Sequence, residues 1–272
     1  MFFPESKLSP GRLLFVVEAG NTTTSFVVFK GCEILEVLGV STKSLSDHDA
    51  CRSTLEPIIR RYPELCDAAI CSVVPFLEKI TEEYLRHHLT GTILTVSASL
   101  ILPFKLHYVS PASFGADRLA LCAMSQSLYP EDAVIALDLG TAITVDVLSS
   151  TRHYLGGLIM PGLDLMAKAL HEYTARLPLV ALERPETLLG CSTVDGIRNG
   201  IIHGTVSSLD GLIEKIQQWL DEKHHEKRVR VLATGGNAPF LASVLSSPLE
   251  VEELAVVKGT RYLFSLNAEA PD

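Results

Sequence analysis

The hydrophobic residues in the first part of the chain fall into short runs typical of buried strands and longer segments with helical spacing. The first run, LLFVVEA, passes through the polar turn GNTTT into a second run, SFVVFKG, which predicts a β-hairpin. Helical spacing over residues 46–65 and 75–89 brackets the short apolar run AAICSVV, and further strands are predicted at TILTV and around LHYV. This alternation of strands and helices indicates an α/β fold.

The second part of the chain begins with a predicted helix that contains GADRLALCAMSQSLY, for which Ser113 is a candidate cap. A second hairpin follows in AVIALDLGTAITVDVLSS, and GGLIMPG is interpreted as a glycine-proline turn that leads into a helix. A polar loop over 178–193, a long helix over about 194–222 and the strand RVRVLATGG come next. The closing segment, VEELAVVKGTRYLFSL, predicts an amphipathic helix.

The two predicted hairpins share a pattern. The segment from Glu18 to Thr24 aligns without a gap with the segment from Asp138 to Thr144, 120 residues later. Both segments have an acid at the end of a buried strand, a glycine two residues on and a turn rich in hydroxyl groups. Such a repeat predicts an internal duplication, with two related lobes.

Composition narrows the class of protein. Lys and Arg number 23 against 32 Asp and Glu, a formal net charge of −9, which makes nucleic acid an unfavourable partner. No run reaches the roughly 18 apolar residues of a membrane span, and the N-terminus lacks the pattern of a secretory signal, so we expect a cytoplasmic protein. The six cysteines contain no CxxC pair and are expected to be buried free thiols.

The glycine and hydroxyl turns suit phosphate chemistry. A turn of this kind directs backbone N–H and side-chain O–H groups at one point, as phosphate oxygens require, while the acid can hold a cation or orient water. The segment Thr234-Gly235-Gly236 at the end of a later strand adds a glycine pair that lets a nucleotide approach closely. Two such turns predict a polyphosphate site, although a single turn of this kind is also common in plain hairpins.

Asp117 and Arg118 stand where a helix is predicted to begin, and two readings are open. The acid can simply favour the first turn of the helix, with the arginine as a surface ion-pair partner. Alternatively, the carboxylate accepts a proton from a hydroxyl group, beside a guanidinium that binds an anionic substrate.

Taken together, the motifs resemble those of type III pantothenate kinases. VVEAGNTTTSF, YVSPASFGADR, LDLGTAITVDV, YLGGLIMPG, GIRNGIIHG and LATGGNAP occur in the order found in that family, from about residue 13 to 262. The resemblance implies the actin-like ATPase fold of the acetate and sugar kinase, Hsp70 and actin superfamily. It implies two ribonuclease-H-like lobes of mixed sheet flanked by helices, with ATP between them. We therefore expect a first lobe over 1–112, a second over 113–250, and a C-terminal segment, 251–272, that packs back on the first.

The resemblance also assigns roles to residues. It implies that Asp117 is the base that takes the proton from the primary hydroxyl of pantothenate, and that Asp138 binds a monovalent cation, K⁺ or NH₄⁺. Glu18 is expected to bind Mg²⁺ through a water molecule. The implied substrate contacts are Tyr108, Gly115, Ala116, Arg118 and Thr193. The implied ATP contacts are Glu18, Ala19, Gly20, Asn21, Thr22, Thr23, Thr24, Ser25, Thr141, Gly235 and Gly236. The resemblance further implies a homodimer, with active sites completed near the subunit interface.

One departure from the family pattern affects the expected function. Glu18 stands where the family usually has Asp, and a carboxylate displaced by about 1 Å can cost on the order of a hundredfold in rate.

The leading hypothesis is ATP-dependent phosphorylation of pantothenate to 4′-phosphopantothenate, the first step of coenzyme A biosynthesis. Two alternatives remain open: a catalytically silent relative that binds nucleotide in a regulatory role, and a kinase for another small hydroxyl compound.

Overall fold

A computed structural model describes residues 11–268 of the chain. From the sequence, we expect a disordered or loosely packed arm before Leu13. That segment lies almost entirely outside the described residues, as do residues 269–272. By its internal contacts the chain divides into two compact units. Among the described residues, the first unit contains 11–130, Arg152–Tyr154 and 254–268, and the second contains Glu131–Thr151 and Leu155–Glu253.

The first unit is built on a five-stranded sheet of order β3-β2-β1-β4-β5. Its strands are β1 (Leu13–Ala19), β2 (Thr23–Lys30), β3 (Glu33–Ser41), β4 (Asp67–Ser72) and β5 (Ile93–Thr95). Its helices are α1 (His48–Arg61), α2 (Pro75–His88), α3 (Ala116–Leu128) and α7 (Ala255–Asn267). β1 is antiparallel to β2 and parallel to β4, and β4 is parallel to β5, so the sheet is mixed, as expected.

The two faces of this sheet carry different helices. Side chains alternate between the faces of a strand, and Phe15, Val17 and Ile70 pack with Leu55 of α1 and Leu77 of α2 in one core. The residues between them in sequence point to the opposite face, against which α3 and α7 pack. Glu18 at the end of β1 therefore faces α3 and α7.

The second unit repeats this topology. Its sheet has the order β10-β9-β6-β7-β8, in which β6 is antiparallel to β7 and parallel to β9, and β9 is parallel to β10. Its strands are β6 (Ala133–Leu139), β7 (Ala142–Leu148), β8 (Tyr154–Pro161), β9 (Val229–Thr234) and β10 (Glu250–Val251). The first residue of β8, Tyr154, belongs by its contacts to the first unit. Its helices are α4 (Leu163–Glu172), α5 (Thr193–His224) and α6 (Ala238–Ala242). The same strand order occurs in both units, and the directions of β6, β7, β9 and β10 match those of β1, β2, β4 and β5. The two units are therefore related in topology, as expected.

The ungapped alignment of the two hairpins holds for the acid and the glycine but not for the whole turn. Glu18 pairs with Ser25 in the first hairpin, whereas Asp138 pairs with Thr144 in the second. The second turn is therefore one residue shorter, and the threonines that the alignment equates do not occupy equivalent places.

Several expectations for individual elements were wrong. The expected strand around LHYV lies in the loop between β5 and α3, where Lys105 forms an isolated bridge with His153. Ser113 ends a short 3-10 turn, and Gly115 is the N-cap of α3. The segment GGLIMP belongs to strand β8 rather than to a turn, and β3 was not predicted at all.

The closing helix also differs from its prediction. Val251 belongs to β10, and α7 begins only at Ala255. It is buried on most of its circumference rather than on one stripe.

The cysteines are free as expected, but Cys32, Cys66 and Cys191 are exposed rather than buried.

The contact-based units and the expected lobes have different boundaries. α3 and Arg152–Tyr154 belong by their contacts to the first unit, although both lie within the lobe expected over 113–250, and residues 251–253 belong to the second unit. Within residues 11–268, no helix is both long and apolar enough to cross a membrane.

Candidate functional site

The first glycine turn connects β1 to β2 and presents polar groups to solvent. The Gly20 N–H donates a hydrogen bond of 3.0 Å to the Thr23 carbonyl, which closes the turn. The side chains of Asn21, Thr22 and Thr23 are exposed, whereas Ala19 is buried in the core. Ala19 is one of the predicted phosphate contacts, but its side chain is a buried methyl group. It could therefore bind a phosphate only through its backbone groups.

Thr42, which the sequence analysis missed, supports this turn. Its hydroxyl donates a hydrogen bond of 2.7 Å to the Gly20 carbonyl, and its N–H donates one of 2.9 Å to the Thr22 carbonyl. Because the single proton of that hydroxyl is used, the buried Thr24 hydroxyl is the donor in the 2.9 Å contact between the two side chains. Thr24 thus stabilises the turn from its inner side.

The second glycine turn connects β6 to β7 in the second unit. The Gly140 N–H donates to the Ala142 carbonyl at 3.2 Å, and the Gly162 N–H donates to the Thr141 carbonyl at 2.9 Å. The start of α4 is therefore tied to the turn. Thr141 itself is exposed, and the Asp138 carboxylate stands close above the glycine, with its Oδ1 3.1 Å from the place of a Cβ on Gly140.

The end of β9 packs directly on this second turn. Gly235 has a φ of +94°, in the region that favours glycine, and a Cβ there would lie 2.7 Å from the Leu139 carbonyl carbon and against the Asp138 carboxylate. The Asn237 N–H donates to the Leu139 carbonyl at 3.0 Å. Gly236, by contrast, is exposed with open space around it. The structure thus brings together Asp138, Thr141 and Gly235, which are three of the predicted site residues.

Asp117 lies in the first turn of α3, in the first unit. Its Oδ1 accepts the Arg118 N–H at 2.7 Å, and a Cβ on Gly115 would come within 2.5 Å of the same oxygen, so a side chain at position 115 would crowd the carboxylate. Burial raises the pKa of Asp117 above its ordinary value, although the hydrogen bond from the Arg118 backbone and the Arg118 charge oppose that rise. A buried carboxylate with an increased affinity for protons is suited to act as a general base.

Arg118 is buried in an aromatic cluster of the same unit. Its guanidinium lies 4.5 Å from the centre of the Phe114 ring and donates a hydrogen bond of 2.9 Å to the Tyr154 hydroxyl. Phe114 makes edge contacts with both Tyr108 and Tyr154, each at 5.0 Å between ring centres. The interpretation of Arg118 as a surface ion-pair partner is therefore wrong. The cluster joins the predicted residues Tyr108 and Arg118, and it adds Phe114 and Tyr154, which the sequence analysis missed.

The buried thiol of Cys71 is affected by the negative charges of both Glu18 and Asp117. Cys71 is the partner of Glu18 in the β1–β4 ladder and is 1% exposed. Burial raises the pKa of the Cys71 thiol well above its ordinary value, and the negative charges of Glu18 and Asp117 raise it further. Two of the predicted functional carboxylates are therefore close to one residue of the first unit.

Thr193, the remaining predicted substrate contact, is the first residue of α5 in the second unit. It lines a cavity of about 660 Å³ between α4 and α5, whose walls are mostly apolar.

Ala116, another predicted substrate contact, is buried as the first residue of α3. In the part of the chain that the structure describes, no three His, Cys, Asp or Glu side chains are grouped as metal ligands.

Comparison with known proteins identifies the relatives of the chain. A family model described as type III pantothenate kinase matches residues 14–215. The type III pantothenate kinase of Chlorobium luteolum is 50% identical over 254 residues, which are 93% of this chain and 94% of its own length. That of Chlorobium chlorochromatii is 48% identical over 260 residues, with 95% and 98% covered.

Among solved structures, MreB5 of Spiroplasma citri bound to ADP matches with a TM-score of 0.51 and 10% identity, over 94% of this chain and 97% of its own. At that identity the likeness concerns the fold alone. The two mixed sheets, their flanking helices and this likeness confirm the expected actin-like ATPase fold.

Proposed function

The chain belongs to the type III pantothenate kinase family, and we propose that it transfers the γ-phosphoryl group of ATP to the primary hydroxyl of pantothenate. The product is 4′-phosphopantothenate, and the reaction opens coenzyme A biosynthesis. The observation that carries the assignment of roles is the buried Asp117 with its raised pKa, beside the aromatic cluster that holds Arg118.

In the proposed reaction Asp117 accepts the proton of the pantothenate hydroxyl. The hydroxyl oxygen then forms a bond to the γ-phosphorus, the bond from that phosphorus to the oxygen bridging to the β-phosphate breaks, and ADP leaves. Arg118 would bind the pantothenate carboxylate, because a guanidinium fixed by Phe114 and Tyr154 loses little freedom on binding an anion. Tyr108, Gly115, Ala116 and Thr193 are proposed as further substrate contacts.

The two glycine turns, one in each unit, are proposed to bind the ATP phosphates through backbone N–H and hydroxyl groups. In the first unit the contacts would come from the segment Glu18 to Ser25. In the second, Thr141 would contact phosphate, while Gly235 and Gly236 would flank the adenosine. The proposal fits the exposure of Asn21, Thr22, Thr23, Thr141 and Gly236 at these turns.

The donor groups of the first unit fit a magnesium ion that arrives with ATP. Mg²⁺ is commonly bound by phosphate oxygens, waters and one or two carboxylates rather than by a cage of protein ligands. Glu18 offers one carboxylate, directed toward the turn, with its Oε1 3.5 Å from the place of a Cβ on Gly20. When bound, Mg²⁺ neutralises charge on the transferring phosphoryl group, and Glu18 is proposed to hold one of its waters.

The donor groups beside Asp138 fit a monovalent cation. Thr144 is the partner of Asp138 across the β6–β7 ladder, so both side chains point to the same face of the sheet. The Thr144 hydroxyl is buried and has no hydrogen-bond partner. A buried hydroxyl without a partner is costly unless a ligand uses it, and an oxygen beside a carboxylate is a suitable ligand for K⁺ or NH₄⁺.

We also propose that the protein is a homodimer, with α4 and α5 of one copy packed on those of the other. Tyr173 lines the apolar cavity and is exposed, and Leu165 of α4 is also exposed. Gly196, Gly200 and Gly204 form a row on α5 with open space above it. A second helix can approach closely along such a row. Light scattering of the wild-type protein and of Gly200→Trp tests this proposal, which predicts a dimer for the first and a monomer for the second.

A cytoplasmic location remains part of the proposal, in keeping with the use of ATP, and cell fractionation tests it.

The activity is tested with the purified full chain, MgATP, KCl and pantothenate, with 4′-phosphopantothenate detected by mass spectrometry. Nucleotide binding without product, and without any gain in the Glu18→Asp variant, would favour the silent relative instead. A higher kcat/KM for another polyol than for pantothenate would favour a kinase of different specificity.

A further inference from the structure

The α4–α5 loop, residues 173–192, forms neither helix nor strand, yet it is attached to the helix that follows it. Ordered loops of this length are uncommon in compact domains and usually serve a function. Val180 of the loop is buried in the core of the second unit. Beyond Val180 the chain returns along α5 to Ser192, which is the N-cap of that helix.

The last residues of the loop pack on the first turn of α5. A Cβ on Gly190 would lie 2.5 Å from the carbonyl carbon of Asp195 and 2.6 Å from the nitrogen of Gly196. The Ser192 hydroxyl accepts the Asp195 N–H at 3.1 Å and donates to the Asp195 carboxylate at 2.6 Å. The position of Thr193, the first residue of α5, therefore depends on how the loop is held.

Asn199 and His203 hold the middle of this returning segment. They lie four residues apart on α5, and both donate to the carbonyl of Thr187, from Asn199 Nδ2 at 2.7 Å and from His203 Nε2 at 3.3 Å. Because a carbonyl oxygen has two lone pairs, the two contacts use its full capacity as an acceptor. Asn199 is only 5% exposed, so its amide is enclosed at this contact.

Arg198 attaches an earlier part of the loop to the same helix. Its Nε donates to the carbonyl of Ala181 at 3.3 Å, and its Nη1 donates to the Asp195 carboxylate at 3.2 Å. The loop thus contacts α5 through backbone atoms at Ala181, Thr187 and Gly190. Contacts to backbone atoms restrain the course of the chain itself, and of them the one from Asn199 is the shortest hydrogen bond.

We propose that Asn199, supported by His203, is a positioning residue for pantothenate binding: it holds the α4–α5 loop on α5, so that Thr193 keeps its place in the wall of the cavity between α4 and α5. This inference deepens the proposed function and rests on the proposed contact between Thr193 and pantothenate. It assigns a role in substrate affinity to a buried amide that acts through Thr193.

The central variant is Asn199→Leu, which has a similar shape but no donor and leaves the Thr187 carbonyl with only the longer contact from His203. If the loop is then docked for about a tenth of the time, the KM for pantothenate rises about tenfold. Bound pantothenate restores the docked state, so kcat and the KM for ATP should stay within about twofold of the wild type. Asn199→Ala, which removes the amide without adding bulk, should give the same separation of KM from kcat.

Thr193→Val supplies the decisive comparison, because it retains the shape of the side chain and removes the hydroxyl. In that background Asn199→Leu should cause no further rise in the KM for pantothenate, since the contact through which it acts is already lost. Gln126→Leu is a matched control. Gln126 is also a buried amide, and it donates to the carbonyls of Tyr129 and Pro130 beyond the end of α3. Its replacement should leave the KM for pantothenate unchanged.

Limited proteolysis reports on the loop without requiring catalysis. A glutamate-specific protease can cut after the exposed Glu186, directly before Thr187, and mass spectrometry measures the fragment that ends there. Because cleavage follows the population of the open form, its rate at this bond should rise severalfold in Asn199→Leu, with or without Thr193→Val. Gln126→Leu should be cut at the wild-type rate, and thermal unfolding verifies that each variant is folded.

An unchanged KM for pantothenate in Asn199→Leu, or an equal relative rise with and without the Thr193 hydroxyl, would overturn the inference. Unchanged cleavage after Glu186, or an equal rise in KM in Gln126→Leu, would overturn it as well. If cleavage rises severalfold but the wild-type chain forms no 4′-phosphopantothenate, the proposed kinase function fails, while the attachment of the loop by Asn199 stands.

Discussion

Thr42 closes the first glycine turn by donating a hydrogen bond of 2.7 Å from its hydroxyl to the carbonyl of Gly20. The two residues are 22 positions apart in the chain, and their contact connects the end of β3 to the turn between β1 and β2. The same hydroxyl accepts from Thr24, and the Thr42 N–H binds the Thr22 carbonyl. One threonine outside the motif thus fixes the backbone that is proposed to bind phosphate.

Replacing Thr42 by valine tests the importance of this contact. The variant retains the shape of the side chain but leaves the Gly20 carbonyl and the Thr24 hydroxyl without their partner. We expect a loss of about 1 kcal/mol in the free energy of unfolding and a severalfold increase in the KM for ATP. Thr54→Val removes a comparable hydrogen bond in α1 and should leave the KM unchanged, so an equal KM in both variants would contradict the role of Thr42.

Gly235 combines a positive φ with close contacts to neighbouring backbone atoms. Alanine at this position meets the Leu139 backbone in addition to the strain of a positive φ, so Gly235→Ala should lose about 2 kcal/mol of stability and weaken ATP binding. Gly156→Ala is the control, because its φ is also positive, at +141°, but nothing lies within 4 Å of its Cβ. Thermal unfolding and nucleotide titration measure both effects, and the same losses in the two variants would exclude the contact as their cause.

Thr144 is predicted to bind the monovalent cation together with Asp138. Thr144→Val should raise the concentration of K⁺ needed for half-maximal activity by about tenfold, with little loss at saturating K⁺. Thr205 offers a matched control, since its hydroxyl is likewise buried without a hydrogen-bond partner but belongs to α5. An unchanged K⁺ dependence in Thr144→Val would remove this residue from the cation site.

The raised pKa of Asp117 predicts how stability depends on pH. A carboxyl group whose pKa is raised by folding lowers stability once it is ionised, so Asp117→Asn should be more stable than the wild type at pH 7. The difference should shrink as the pH falls through the raised pKa and vanish below the ordinary aspartate value of 3.8. Urea unfolding at several pH values measures it.

Asp47 provides the opposite case for comparison. The hydrogen bond from the Ala50 N–H lowers the pKa of this carboxyl group, so Asp47→Asn should give no gain in stability at pH 7. A loss of stability in Asp117→Asn at pH 7 would mean that the carboxylate is stabilised by its surroundings rather than strained by burial.

The two hairpins, their acids and most helices could be predicted because each depends on a local pattern. A buried run that ends in an acid and a glycine is visible in sequence, and so is its repetition. The edge strand β3 was missed because its residues are alternately exposed and half-buried, so that no clear apolar face stands out. In β8 the glycine pair and Pro161 indicated a turn, although the segment pairs as an edge strand.

The residues that sequence reasoning missed are those that act through tertiary contacts. Tyr154 lies 36 positions from Arg118, and Thr42 lies outside the glycine motif that it supports. The all-round burial of α7 follows from its packing against both α3 and the sheet, which no periodicity in its own sequence reveals. Local elements could therefore be predicted from the sequence, whereas the tertiary contacts that support the candidate site could be identified only from the fold.

The most direct test of this account is the rate at which Asp117→Asn forms 4′-phosphopantothenate at saturating MgATP, K⁺ and pantothenate. We expect a rate lower than that of the wild type by a factor of about 10² to 10⁴, with ATP affinity retained, because the hydroxyl proton has lost its acceptor. Equal rates for the two proteins would contradict the account, since Asp117 would then not be the base.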